Sequence, residues 1–341
     1  MKFCIFSDNH FCSYSSIIRS RGKKFTTRLE NQIDSLNFVE RTAEKEGCDC
    51  IVCLGDFFDR SDLNAEETTC LKEISWSKIP HYFLVGNHEI GVSNNSFNTA
   101  EIFNFLENSY VISEPSMPIS NENILFLPYQ VEDSRKNLLE YVSKFNTNQD
   151  NLIVFSHNEI AGISYGAYTS KIGFSVDEIE NSCRLFLNGH LHNNQWVTDK
   201  ILNVGNLTGQ NFSEDALKYD HFIIILDTDN NTIVQLVNPF AFNFYSVDLS
   251  NSAQSTVNNF LANMKNNAVL SATVTEKQKD ELLSLIQGGT VTYKITTKRE
   301  IQTAAKKDVQ TISHTEKFRS FILEKLGADD IVMSELEAIL A

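Results

Sequence analysis

Cys50-Ile51-Val52-Cys53-Leu54-Gly55-Asp56-Phe57-Phe58-Asp59 is the stretch on which the reading of this chain turns. An apolar run of strand length ends in a glycine, and two acids follow. A buried strand that hands polar side chains to its own end is how an α/β sheet presents chemistry to a crevice. The same grammar recurs elsewhere. Lys2–Ser7 runs into Asp8-Asn9-His10, and His81–Val85 into Gly86-Asn87-His88-Glu89. Leu152–Ser156 runs into His157-Asn158, and Arg184–Asn188 into Gly189-His190-Leu191-His192. No single segment is specific, but five of the eight histidines fall within this one repeated arrangement. On an extended backbone, residues two apart share a side, so Asp8/His10 and His190/His192 are each expected to meet one ion. All five segments offer oxygen and nitrogen ligands at strand ends.

Around these segments the first 245 residues alternate short apolar strands with amphipathic helices. Further strands are expected at Tyr110–Ser113, Ile124–Pro128, Ile201–Val204, His221–Asp227 and Thr232–Val237. Helices are expected at Thr27–Lys45, Ala65–Ser75, Asn98–Glu107 and Ser134–Lys144. Few helices separate the later strands, so a second, more antiparallel sheet is expected to pack on the first. After Asn238-Pro239 the composition shifts. Helix Ala253–Met264, strand Ala268–Val274, helix Glu276–Ile286 and strand Thr290–Thr297 would form a small α+β unit. A polar connector and two short amphipathic helices, Glu316–Leu326 and Ile331–Leu340, follow.

The chain has 341 residues and a net charge of −15, from 29 Lys+Arg against 44 Asp+Glu. A hydrophobic fraction of 42% excludes a disordered chain. No apolar run reaches the length of a membrane span, and the short N-terminal run Phe3 to Phe6 does not make a signal peptide, so a cytoplasmic protein is expected. The acidic balance argues against a polyanionic partner, but it is uneven. Residues 246–341 carry 11 basic and 12 acidic side chains, leaving −14 on the first 245. Of the seven cysteines, at 4, 12, 48, 50, 53, 70 and 183, Cys48, Cys50 and Cys53 could suggest a zinc half-site, but no second Cys/His pair follows at suitable spacing, and all seven read as reduced core thiols.

The ordered pattern D-x-H, G-D-x-x-D, G-N-H-[DE], H and G-H-x-H resembles the calcineurin-like metallophosphoesterases. That resemblance implies a β-sandwich flanked by helices, followed by a small α+β capping domain and C-terminal helices. It also implies two divalent ions, manganese first, with magnesium, iron and zinc as alternatives. Asp8, His10 and His192 would hold one ion, Asn87, His157 and His190 the other, and Asp56 would bridge them. His88 would be the non-ligand histidine that protonates the leaving oxygen or stabilises the transition state. Asp59 would orient and charge it. The reaction implied is phosphoester hydrolysis.

Within that superfamily the chain is most similar to SbcD-type DNA exo/endonucleases of recombination and repair, in particular a phage-type member. The alternatives are a serine/threonine-phosphatase-like phosphomonoesterase or a small-molecule phosphodiesterase. The protein phosphatases, however, expect glycine and arginine where Ser61 and Val85 stand, and they lack the Gly-His-x-His pair. The organisation implied is a nuclease domain at 1–245, a cap at 246–297, a linker at 298–312 and docking helices at 313–341. DNA, an SbcC-type SMC-like ATPase and a second copy of the chain are the partners implied; no membrane is. If the source is a phage, the compartment is the bacterial cytoplasm. Arg19, Arg21, Lys23, Lys24 and Arg28, together with Arg60, are candidate DNA contacts. A second basic run, Lys294, Lys298, Arg299, Lys306 and Lys307, lies at the end of the cap. Phe318, Phe321, Ile322 and Leu336 are candidate partner contacts on the terminal helices.

Overall fold

In a computed structural model, the structure describes residues 1–297 apart from 16, 19, 93, 121, 146, 166, 167 and 287–291. The terminal helices, the connector and their candidate contacts Phe318, Phe321, Ile322 and Leu336 lie outside the described residues, as does Arg19. Lys298, Arg299, Lys306 and Lys307 of the second basic run lie outside them too.

The larger sheets are built from β1 (Lys2–Phe6), β2 (Cys50–Cys53), β3 (His81–Leu84), β4 (Ser109–Ile112), β5 (Ile124–Leu127), β6 (Ile153–Ser156) and β7 (Leu185–Asn188). These continue with β8 (Gln195–Thr198), β9 (Ile201–Asn203), β10 (Phe222–Asp227), β11 (Thr232–Val237), β12 (Asn243–Asp248), β13 (Ala268–Val274) and β14 (Thr292–Thr297). The first sheet has the order β11-β10-β1-β2-β3-β4. Its β1, β2, β3 and β4 are parallel, as expected of strands joined by helical crossovers. The second sheet has the order β8-β9-β7-β6-β5. It was expected to be the more antiparallel one and is not: only β8/β9 is antiparallel, while β9/β7, β7/β6 and β6/β5 are parallel. Short helices α3 (Leu138–Val142), within the expected Ser134–Lys144, and α4 (Val176–Glu180), which was not expected from sequence, provide the crossovers.

The two sheets face one another through Phe3, Ile5, Val52, Leu84, Phe126, Phe155, Leu187, Leu202 and Ile224, all buried. Phe3 and Phe155 meet edge to face across the gap with ring centroids 5.6 Å apart. The outer face of the first sheet is covered by α1 (Thr27–Glu46), through Leu29, Leu36, Val39 and Ala43, and the same core takes in Cys70 of the short α2 (Ala65–Cys70). The Thr26 side chain accepts from Leu29 N at the start of this helix, and Gly47, at φ 64, closes its end. Helices α3 and α4 cover the second sheet, placing Leu138, Tyr141 and Ile179 over Val154 and Phe186. The result is a two-sheet sandwich flanked by helices, as expected.

A third sheet, β12-β13-β14, is wholly parallel and is joined through α5 (Gln254–Ala262) and α6 (Glu276–Ile286). The helix-strand-helix-strand order expected for 246–297 is present, but the unit opens with an extra strand at Asn243, ahead of the expected boundary. Tyr245, Val257, Leu270, Val274 and Leu282 pack together with Ala216 of the preceding loop.

Candidate metal centre

All five motif segments leave the C-terminal ends of parallel strands, on one edge of the sandwich. Asp8 N donates to Gly55 O at 3.1 Å and His10 N to Asp56 O at 3.0 Å, so the first two segments run side by side. His190 N donates to Asp8 Oδ2 at 2.9 Å, which ties in the fifth. The extended-backbone geometry expected for Asp8/His10 and His190/His192 is not what joins them. Asp8, His10, Asp56 and His190 have φ values of 50°, 47°, 47° and 76°, the left-handed region that side-chain-bearing residues avoid. Each turn swings a donor inward that a pleated strand would send sideways.

Asp8, His10 and His192 form one cluster, Asp56, His157 and His190 a second, and His10, Asp56 and His88 a third, with ligand atoms in each within 4.8 Å of one another. His157 Nε2 lies 3.1 Å from Asp56 Oδ2 and 3.3 Å from Asn87 Oδ1, and His190 Nδ1 lies 2.9 Å from Asn87 Oδ1. Asp56 Oδ2 is also 3.9 Å from His10 Nε2, so this carboxylate stands between the clusters. Gly86 makes that possible, since its α-carbon packs directly on Asp56.

Every imidazole has one nitrogen anchored from behind. His10 Nδ1 faces Asp59 Oδ1 at 3.3 Å, and His157 Nδ1 faces Leu54 O at 2.8 Å. His190 Nε2 faces Glu159 Oε2 at 2.5 Å, and His192 Nδ1 faces Glu214 Oε1 at 2.8 Å. An acceptor behind one nitrogen puts the proton there and turns the other nitrogen's lone pair toward the centre. His10 Nε2 and His192 Nε2 then confront each other at 3.1 Å. Two lone pairs at that separation repel unless a proton or cation lies between them. The donor set therefore fits divalent ions.

Protons answer to the same acidic surroundings as a cation would. Burial pulls the His157 imidazolium down, but Asp56 and the acids around it outweigh burial and bring its pKa up to about 9. Burial likewise opposes the charged form of His192, and Glu214 with Asp8 lifts it to about 9. His10 goes the other way, lowered by burial against the pull of Asp59. Burial and then the charge of Asp56 push Glu89 up to about 8. Its oxygens accept from Gly86 N at 2.7 Å, Phe58 N at 2.8 Å and Asp56 N at 3.1 Å, which locks two of the motif turns together.

His88 stands against the centre, edge to face with His10 at 4.6 Å between centroids. Its Nδ1 is held by the main-chain carbonyl of Asp59 at 2.7 Å, while the Asp59 carboxylate serves His10 instead. The expected role of Asp59 is thus corrected: its peptide oxygen orients His88 and its carboxylate supports a ligand. Two buried supporting acids, Glu159 and Glu214, were not singled out from sequence. Glu159 could have been found from its place two residues after His157. Glu214 lies 22 residues beyond His192 in a loop that carries no motif.

Among the candidate DNA contacts, Arg28 is overturned. It is 2% exposed, donates to Gly209 O at 2.8 Å and to Gln210 Oε1, and braces the loop after the last motif. It lies on the inner side of α1, where a basic run read by charge alone cannot be told from a surface stripe. Arg21 and Lys24 are exposed but paired with Glu66 at 2.8 Å and Glu73 at 2.7 Å. Arg60 is held by the buried Glu67 at 2.5 Å. Lys23 is exposed.

No curated protein matches the chain. Among solved structures, an archaeal phosphodiesterase is similar at 14% identity, covering 70% of this chain and 99% of its own, with a TM-score of 0.37. The protein TT1561 of Thermus thermophilus is similar at 10% identity, covering 69% and 98%, with a TM-score of 0.40. A dimetal phosphatase from Danio rerio is similar at 15% identity, covering 70% and 98%, with a TM-score of 0.36. Residues 1–194 match the calcineurin-like phosphoesterase family, and these residues contain every donor of the centre. The chain therefore belongs to the calcineurin-like phosphoesterases, a metallophosphoesterase by both its sequence and its site.

Proposed function

We propose that the chain is a metal-dependent DNA nuclease subunit of the SbcD type, cutting phosphodiesters in recombination or repair alongside an SbcC-type SMC-like ATPase. The observation that carries this reading is the unit at 243–297. Its Phe244 O accepts from Ala216 N at 2.9 Å, and Phe242 O, just ahead of it, accepts from Gly209 N at 3.2 Å, so it is tied to the loop whose Glu214 faces His192. A second layer beside the site can steer a long polymer past the reacting bond. The centre is also open on that side: a cavity of about 310 Å³ lies between His190, His192, Asn211 and Ser213. A continuous strand can lie across such an opening.

Two divalent ions supply Lewis acidity and an activated water when bound. The chain's own work is positional. Asp56 and Asn87 sit among the imidazoles and fix the spacing of the donors. His88, with Nδ1 committed to Asp59 O, keeps Nε2 for the leaving oxygen. Exposed Arg21, Lys23 and Lys24 are the proposed backbone contacts. Manganese as the working ion, a homodimer, and ATPase docking through 313–341 belong to the same proposal.

The test is direct. The full chain with manganese, with and without the ATPase, is given end-labelled DNA and para-nitrophenyl phosphate, with His88→Ala as control. DNA cutting that His88→Ala abolishes is expected. Rapid monoester turnover with intact DNA would leave a phosphatase and remove the nuclease reading. Deleting 313–341 is expected to abolish ATPase association and spare DNA cutting.

A further inference from the structure

Lys265 lies far from the metal centre in sequence, near the end of α5. Its ammonium nevertheless makes three contacts to one short stretch of the phosphoesterase domain. It donates to Ala216 O at 2.6 Å and Tyr219 O at 2.9 Å, and it pairs with Asp220 Oδ1 at 2.8 Å. Strand β12 reinforces the same stretch, because Ala216 N donates to Phe244 O and Asp215 bridges to Phe244. Two residues before Ala216 stands Glu214, 3% exposed, whose Oε1 faces His192 Nδ1. The other oxygen, Oε2, accepts from Gln210 N at 2.7 Å and from Asn206 Nδ2 at 3.0 Å. Asn206 Oδ1 in turn faces His221 Nδ1 at 2.8 Å, just ahead of β10. Residues 206–221 thus form a buckle, with a metal-facing histidine at one end and the appended unit at the other.

We propose that Lys265 is a positioning residue for the metal centre. By pinning 216–220 it sets Glu214 against His192 and so tunes the affinity of the Asp8/His10/His192 ion, leaving the His157/His190/Asn87 ion untouched. The asymmetry follows from the anchors. His157 leans on Leu54 O and His190 on Glu159, neither of which lies in the buckle. An imidazole held by a well-placed carboxylate is a better ligand than one left to rotate. Whatever shifts the 243–297 unit then shifts ion occupancy on one side of the centre only. The inference rests on the two-ion centre and not on the choice of substrate, so its readout is ion binding.

Manganese is titrated into the metal-free full chain by calorimetry in two backgrounds. His157→Gln leaves the Asp8/His10/His192 ion, and His192→Gln leaves the other. In the first background Glu214→Ala is expected to weaken manganese about 10–100-fold, with Glu214→Gln restoring part of the loss. Lys265→Met, which keeps the aliphatic stem, is expected to weaken it about 2–30-fold. Added to Glu214→Ala, it should weaken it no further, because both act through one contact. In the second background neither change should matter. Asp220→Asn, a milder cut of the same tether, is expected to act in the same direction as Lys265→Met. The proposal is overturned if Lys265→Met and Asp220→Asn leave manganese unmoved, weaken both ions alike, or add in full to Glu214→Ala. A parent chain that binds no manganese would instead overturn the metal centre itself.

Discussion

Replacing Gly86 by alanine perturbs the centre without touching a donor. The new methyl would fall 2.2 Å from Asp56 Oδ1 and 2.5 Å from Asp56 N, and contacts of this kind are not found below 3.0 Å. The carboxylate oxygen must therefore retreat by about 0.8 Å, and the main-chain nitrogen cannot yield separately because Glu89 holds it. Asp56 Oδ1 also accepts from His88 N at 2.9 Å, so the displacement reaches the proton donor as well as the shared ligand. A misplacement near 1 Å at a reacting centre costs on the order of 10²-fold in rate. Overpacking of this size costs about 1–3 kcal/mol of stability. Gly86→Ala is thus expected to fold, melt several degrees lower, and lose roughly 50–100-fold in kcat/KM. Gly91→Ala is the control, since its methyl would meet nothing closer than 3.5 Å. The assay is hydrolysis of bis-para-nitrophenyl phosphate under saturating manganese, with circular dichroism to verify the fold. A folded Gly86→Ala enzyme within about threefold of the parent would refute the close-approach argument.

Other expectations are simpler to state. His88→Ala should retain both ions in a binding titration and lose about 10²–10⁴-fold in turnover; loss of an ion would make His88 a ligand. Each ion displaces a proton from an imidazole held at about 9, His192 for one and His157 for the other. Manganese affinity should therefore fall roughly tenfold per ion for each unit of pH below that value, seen as buffer-dependent heats. The same shifts act on the metal-free fold. His157 and His192 have folded pKa values raised above 6.5, so their contribution is complete below pH 6.5 and disappears as pH rises through 9. Thermal melts of the metal-free chain should drop between those values, and a rise would contradict the assignment. All seven cysteines are buried, so the native chain should resist a thiol reagent that titrates all seven on unfolding.

Much of the sandwich was legible because its strands are short apolar runs ended by glycines or acids. Cys50–Cys53, Ile153–Ser156 and Leu185–Asn188 sit where the pattern placed them. The donors were legible for the same reason: a strand end fixes where a side chain emerges. Pairing direction was not. Whether β7 joins β6 in parallel depends on the path of a crossover, and α4, the helix between them, is only five residues long, too short to leave a clear helical period. Hydrogen bonding behind the ligands was also hidden. Glu214 is one acid among many, and nothing local separates a buried carboxylate from a solvated one. Arg28 failed for the converse reason: its neighbours Arg21, Lys23 and Lys24 are exposed, and only the packing of α1 against 209–210 turns it inward.

The four left-handed residues have a consequence for how the centre comes into being. Each such backbone conformation costs on the order of 1–2 kcal/mol for a residue with a side chain. The sandwich bears that cost as it folds, since the hydrogen bonds from Asp8 N, His10 N and His190 N are made within the protein itself. Ions arriving later meet donors that have nowhere else to go. Little chain entropy is left to lose on binding, and one ion can replace another without the backbone being remade. Glycine at position 8 or 56 would relax the turn and make a sturdier metal-free protein, at the expense of the one side chain for which the turn exists.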